Sequence, residues 1–134
     1  MGNSSRNLQK AVEAIVRDDS RYAAGAYIFV RMGLDFTIKR LAARDKNRKD
    51  RNVSAEELLD GIRAFALESF GQMAYTLLAE WGVHSCADFG NIVFNMVDAR
   101  ILAASKSDKI EDFCGGYDFH EAFEAPFLPK NRKA

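Results

Sequence analysis

Four side chains spaced about one helical turn apart carry the densest chemistry in this sequence: Asp88, Asn91, Asn95 and Asp98. Residues three or four apart on a helix share a face, so these oxygen atoms converge on one region. Such a set can coordinate a divalent cation through hard oxygen ligands or hydrogen-bond a polar ligand. A plain solvated face accounts for the same pattern. Two Asn residues in mid-helix nevertheless forgo helix propensity with no visible local gain, which raises the ligand reading slightly but leaves the solvated face ahead of it.

His84 and Cys86 form a second constellation, since a thiol at a helix start can have a lowered pKa and an imidazole beside it can act as a base. No recognisable third member accompanies them, so an enzyme ranks below a binding protein. His84, Cys86, Cys114 and His120 add up to four soft ligands. Neither Cys-x2-Cys nor His-x3-His occurs among them, so no metal and no cofactor is assigned. Both cysteines are expected to be free, packed thiols. The acids Asp108, Glu111, Asp112 and Asp118 lack the glycine-punctuated loop of a calcium site, and Gly115-Gly116 lacks the strand and helix of a phosphate loop.

The elements that position these groups centre on residues 53–113. Ser54 with Glu57 three residues later spells a capping box, and Leu58, Leu59, Ile62, Phe65, Ala66 and Phe70 then trace one apolar helical face. Gly71 is the natural C′ residue, so the helix is expected to break there, with a second short helix from Gln72 to Trp81 ending at Gly82. Ser85 caps a third helix, to Ala99, whose buried arc is Phe89, Ile92, Val93, Met96 and Val97. Ile101-Leu102-Ala103 and Ile110-Glu111-Asp112-Phe113 can pair as a small β-hairpin across Ser105 to Asp108. Two helices in tight succession followed by a hairpin describe a winged-helix or helix-turn-helix-like centre.

A helix-turn-helix raises the question of nucleic acid. Lys39, Arg40, Arg44, Lys46, Arg48, Lys49 and Arg51 concentrate seven cations in one stretch and are the nucleic-acid candidates. A solubilising loop is the favoured reading of that stretch, because no aromatic residues interleave the cations. The third helix presents Asn91 and Asn95 beside Asp88 and Asp98 and no cation, so weak, nonspecific duplex binding is the most it predicts.

Trp81-Gly82-Val83, Asp88-Phe89-Gly90, Val93-Phe94-Asn95, Asp112-Phe113 and Gly116-Tyr117-Asp118-Phe119 resemble a small uncharacterised bacterial family of about this length, the Minf-like proteins. The likeness runs from about Ile15 to Phe123, and Arg21-Tyr22, Ala26-Tyr27, Phe29-Val30 and Glu57-Leu58-Leu59 fit the same pattern. That family has no established activity, so the resemblance implies relatives and no function.

Length and composition bound the rest. The 134 residues, 48% hydrophobic, suffice for one compact domain and are too few for two. Nineteen basic and nineteen acidic residues cancel, removing any global electrostatic attraction to nucleic acid or anionic lipid. No apolar run reaches the length of a membrane span and no signal peptide opens the chain, so a cytoplasmic protein without membrane contact is expected. Leu8, Val12, Ile15 and Val16 mark a packing helix. From Tyr22 onward Tyr27, Val30, Leu34, Ile38 and Leu41 recur over five turns, predicting a long helix despite Gly25 and Gly33. The N-terminal helices span 5–44, a basic linker 45–52, the winged-helix-like unit 53–113, an aromatic segment 114–127 and a tail 128–134. Phe119, Phe123 and Phe127, at i, i+4 and i+8, are expected to dock on the core from one face of a terminal helix. The reading as a whole is a mainly α-helical single domain that binds another protein or a second copy of itself.

Overall fold

A computed structural model describes residues 2–47, 53–102 and 110–128. Five α-helices account for most of them: α1 (Gly2–Asp18), α2 (Ala24–Arg44), α3 (Ala55–Phe70), α4 (Ala74–Glu80) and α5 (Cys86–Asp98). One apolar core draws on all five, with Val12, Val30, Ile62, Leu78, Phe89 and Ile92 among its fully enclosed side chains. Both caps anticipated from sequence act at helix starts. Ser54 Oγ accepts from the Glu57 amide at 3.1 Å, and Glu57 Oε1 accepts from the Ser54 amide at 3.0 Å. Asp88 performs the second half of that exchange at α5, its Oδ2 accepting from the Ser85 amide at 3.2 Å.

The long helix forms as expected, and its two glycines have packing reasons to be there. A Cβ on Gly25 would lie 2.7 Å from the Trp81 indole nitrogen, and one on Gly33 would press Ile62 Cγ1 at 3.2 Å. The partner helix α3 answers with Gly61, where a Cβ would fall 1.8 Å from Thr37 Oγ1. Helices α2 and α3 therefore meet backbone to side chain, closer than two larger residues allow. Thr37, buried at this contact, satisfies its hydroxyl by donating to the Gly33 carbonyl at 2.7 Å. Phe29 of α2 then stacks on Phe65 and touches Phe70 and Trp81, with ring centroids 5.3 to 5.7 Å away.

Gly71, at φ 54°, ends α3 where the sequence places the break, and Gly71–Met73 turns through one 3-10 turn into α4. Gly82, at φ 90°, makes the sharp corner toward α5, where a Cβ would strike the Arg21 carbonyl oxygen at 2.3 Å. That corner is fastened to the start of α2, because the Ala23 amide donates to the Trp81 carbonyl at 3.0 Å.

Two expectations are corrected. The second arm of the hairpin, Ile110–Phe113, is a 3-10 turn, and the described residues contain no strand. Its Phe113 lodges against α5, the Phe113 Cβ sitting 2.8 Å from where a Gly90 Cβ would be. Burying that ring against a helix outweighs pairing two short segments of weak strand propensity. The proposed hairpin turn, Ser105 to Asp108, lies outside the described residues. The aromatic stripe is the second correction. Phe119 and Phe123 are buried with centroids 4.9 Å apart, but Phe127 is 43% exposed. His120–Glu124 is a π turn and Ala125–Phe127 a 3-10 turn with Pro126 inside it, so the winding changes and the i+8 residue rotates off the shared face.

Candidate functional site

The α1–α2 corner and the first turn of α2 deliver two tyrosines into the core, Tyr22 and Tyr27, and each needs a partner for a hydroxyl cut off from bulk water. Helix α5 supplies both. Tyr22 donates to Asp88 Oδ1 at 2.5 Å and accepts from Asn91 Nδ2 at 2.9 Å. One turn further along, Asn95 Nδ2 donates to the Tyr27 hydroxyl at 3.0 Å and to Asp19 Oδ2 at 3.1 Å. Asp19 sits in the α1–α2 corner, gripped by Arg21 through Nε at 2.9 Å and Nη2 at 2.7 Å. The two phenol rings meet edge to face, their centroids 6.4 Å apart.

Asp88, Asn91 and Asn95 thus come together, but toward protein. They form a polar seam that fastens α5 to the α1–α2 corner. Asp88 is doubly engaged, since its Oδ2 also accepts from the His84 amide at 2.8 Å and the Ser85 amide at 3.2 Å. One carboxylate caps a helix and tethers a tyrosine. Asp98 stays apart on the exposed end of α5, lining a shallow depression with Ile15, Asp18, Asp19 and Asn95. Among the described residues no group of three or more His, Cys, Asp or Glu side chains is placed to hold a metal ion.

The seam's electrostatics follow from its contacts. The Arg21 guanidinium hydrogen-bonded to Asp19 holds that carboxyl well below the usual carboxylate range, against the opposing effect of burial. Burial, reinforced by the Asp88 carboxylate, pushes the Tyr22 phenol up to about 12. Burial also raises Tyr27. These groups hold one protonation state across the physiological range, as a structural joint does.

The thiol weighed as a nucleophile is instead a packed side chain, whereas Cys114, also expected to be packed, is exposed. Cys86 is buried, its Sγ lies 3.4 Å from the Tyr117 amide and 3.5 Å from the Tyr117 carbonyl oxygen, and burial pushes the thiol up. Desolvation outweighs the helix N-terminus here. His84 is exposed and takes part through its backbone amide. His120 pairs instead with Glu124, Nδ1 to Oε1 at 2.5 Å.

The basic candidates disperse around the end of α2. Lys39 and Lys46 are exposed, while Arg40 lies partly covered with Nη1 3.8 Å from Asp60 Oδ2. Arg44 lines a cleft of about 870 Å³ shared with Ser54, Glu56, Asp60, Cys114 and Tyr117. Arg48, Lys49 and Arg51 lie outside the described residues. Sequence reasoning missed the seam's other half, Asp19, Arg21, Tyr22 and Tyr27. One signal for it was present: two mid-helix Asn residues without local gain imply a tertiary partner.

No family model, curated protein or solved structure matches this chain.

Proposed function

We propose that this chain is a non-catalytic interaction domain that binds a second protein or another copy of itself. The observation that carries this reading is Met32, on the middle of the longest helix yet 53% exposed. It opens into a mixed groove in which Leu8 and Ala11 of α1 and Ile101 beyond α5 are flanked by Asn7, Arg100 and the Arg31–Asp35 ion pair. Methionine is an adaptable contact residue, and apolar side chains gathered in a surface groove favour association. The absence of a long apolar helix among the described residues leaves no helical membrane span to account for them. Light scattering over a wide concentration range, with a photo-crosslinking residue at position 11 in the same groove, tests the reading. A concentration-dependent mass or a specific crosslink, lost in Met32→Glu variants of each, is expected. A strict monomer with no position-specific crosslink overturns it.

Nucleic acid is the second reading. The order of α4, the Gly82 corner and capped α5 resembles a helix-turn-helix, which supports this reading, and a winged-helix-like centre would place α5 as the reading head. Asn91 and Asn95 work against it, because their amide donors are engaged inside the protein and so do not face base edges. Duplex titration at two salt concentrations should give weak, steeply salt-dependent binding at most.

A further inference from the structure

The Met32 groove does not stand alone on the surface. Ala99, just past the end of α5, lines both that groove and the shallow depression bounded by Asp18, Asp19 and Asp98. Apolar and acidic surface therefore adjoin across one small residue. Asp18 and Asp98 are exposed and make no ion pair among the described residues, while Asp19 is gripped by Arg21. On the groove side Asp35 offsets Arg31, which leaves Arg100 as one cation against three carboxylates. A segment that fits this surface carries apolar anchors followed, a few residues later, by cations. The chain holds such a segment. Phe127 and Leu128 are consecutive, large and exposed, and Lys130, Arg132 and Lys133 follow them in sequence. Chain geometry lets these cations reach up to about 18 Å past Leu128.

The anchors do not come from the same copy. Tyr22 meets Asp88 and Tyr27 meets Asn95, so α2 and α5 run side by side, and the groove lies at the far end of α5. The chain leading to Phe127 packs at the near end, with Phe119 against Phe89 at a centroid distance of 5.5 Å and the turn after it against α4. Phe89 and Ala99 are about 15 Å apart along the helix. Neither Phe127 nor Leu128 lines the groove of its own copy.

We propose, resting on the reading of the Met32 groove as an interaction surface, that its occupant is segment 127–133 of a second copy. Phe127 and Leu128 pack on Met32, and the three cations lie over Asp18 and Asp98. Groove and segment are different surfaces, so the contact is heterologous, and an assembly keeps one free groove and one free segment until a ring closes. The apolar anchors supply the hold, and the charges select direction and register. Screening of those charges weakens the association as salt rises.

The test uses the full chain, blocked at one end or the other. Met32→Glu closes the groove, and Phe127→Asp with Leu128→Asp removes the anchors. In sedimentation velocity each variant alone should be monomeric at concentrations where wild type associates. Their equimolar mixture should form dimers and nothing larger, because one intact groove then meets one intact segment. Asp18→Asn with Asp98→Asn should weaken association several-fold and flatten its salt dependence. A segment variant that associates as wild type does, while Met32→Glu does not, gives the groove another occupant and overturns the proposal, leaving the interaction reading intact. So does an Asp18 and Asp98 variant that matches wild type at every salt concentration. A wild type that stays monomeric also overturns it, and the interaction reading falls with it only if the crosslink from position 11 is absent too. Should a blocked variant fail to fold, that crosslink decides in wild-type background. Between light and heavy nitrogen-labelled chains it should join position 11 of one copy to the 127–133 peptide of another, and a crosslink to any other peptide overturns the proposal.

Discussion

Helix α2 is held at two places by opposite means. Along its middle it meets α3 through absent side chains, with Gly33 and Gly61 letting Ile62 and Thr37 approach the facing backbones. At its start it is held to α5 through hydrogen bonds among Tyr22, Tyr27, Asp88, Asn91, Asn95 and Asp19. A tight apolar contact tolerates almost any polarity-conserving change and no added volume. A polar joint tolerates volume changes at its rim and no loss of a partner, because each buried hydroxyl left alone carries its desolvation cost.

The sharpest way to break the contrast is to add volume at the first contact. Gly61→Val should destabilise the fold by about 3 kcal/mol, since its first atom overlaps Thr37 Oγ1. Thr37→Ala in the same chain should recover part of that loss, and a double-mutant cycle in urea measures how much. Additive losses would show that α2 and α3 do not meet there. At the polar joint, Asp88→Ala should cost about 2 kcal/mol, combining a lost helix cap with an abandoned Tyr22 hydroxyl. Tyr22→Phe should cost less, and the pair should be clearly less than additive. Asp88→Ala with unchanged thermal stability would reduce the seam to a surface feature.

Titration separates the two regions further, because the shifted groups Asp19, Tyr22 and Tyr27 all sit at the α5 joint. The Tyr22 phenol is raised from an unfolded value of about 10 to about 12. Its contribution is therefore complete below pH 10 and is lost as pH rises through about 12. Asp19 has the opposite sign. Its carboxyl is lowered in the folded state, so its contribution is present above the unfolded value near 4 and fades as pH falls toward the folded one. Thermal melts should show an alkaline limb that Tyr22→Phe flattens and an acid limb that Asp19→Asn flattens, while Gly61 variants shift every pH alike. The smallest effect belongs outside both regions. Met32→Glu, on an exposed side chain, should change stability by less than about 0.5 kcal/mol, which makes it a clean probe of association.

Local rules carried much of this fold. The Ser54 box, the break at Gly71, the corner at Gly82 and the start of α5 at Cys86 were legible because caps and positive-φ glycines act within four residues of chain. Periodicity identified α2 against the strand propensity of Tyr27 to Val30, since the apolar repeat continues for five turns. It also marked Phe119 and Phe123 as core, but not the exposure of Phe127, which depends on how the π and 3-10 turns wind.

What the tertiary structure alone decided is where polar groups point. Asp88, Asn91 and Asn95 spell a polar stripe, and a stripe facing water is spelled the same way as one facing two buried tyrosines. The partners stand 66 to 76 residues away, beyond the reach of any local rule. Cys86 shows the same limit: its place at a helix start is written in the sequence, but the Gly116 and Tyr117 backbone that buries it arrives from the far end of the chain. Spacing along a helix determines which side chains share a face, and only packing determines what that face meets.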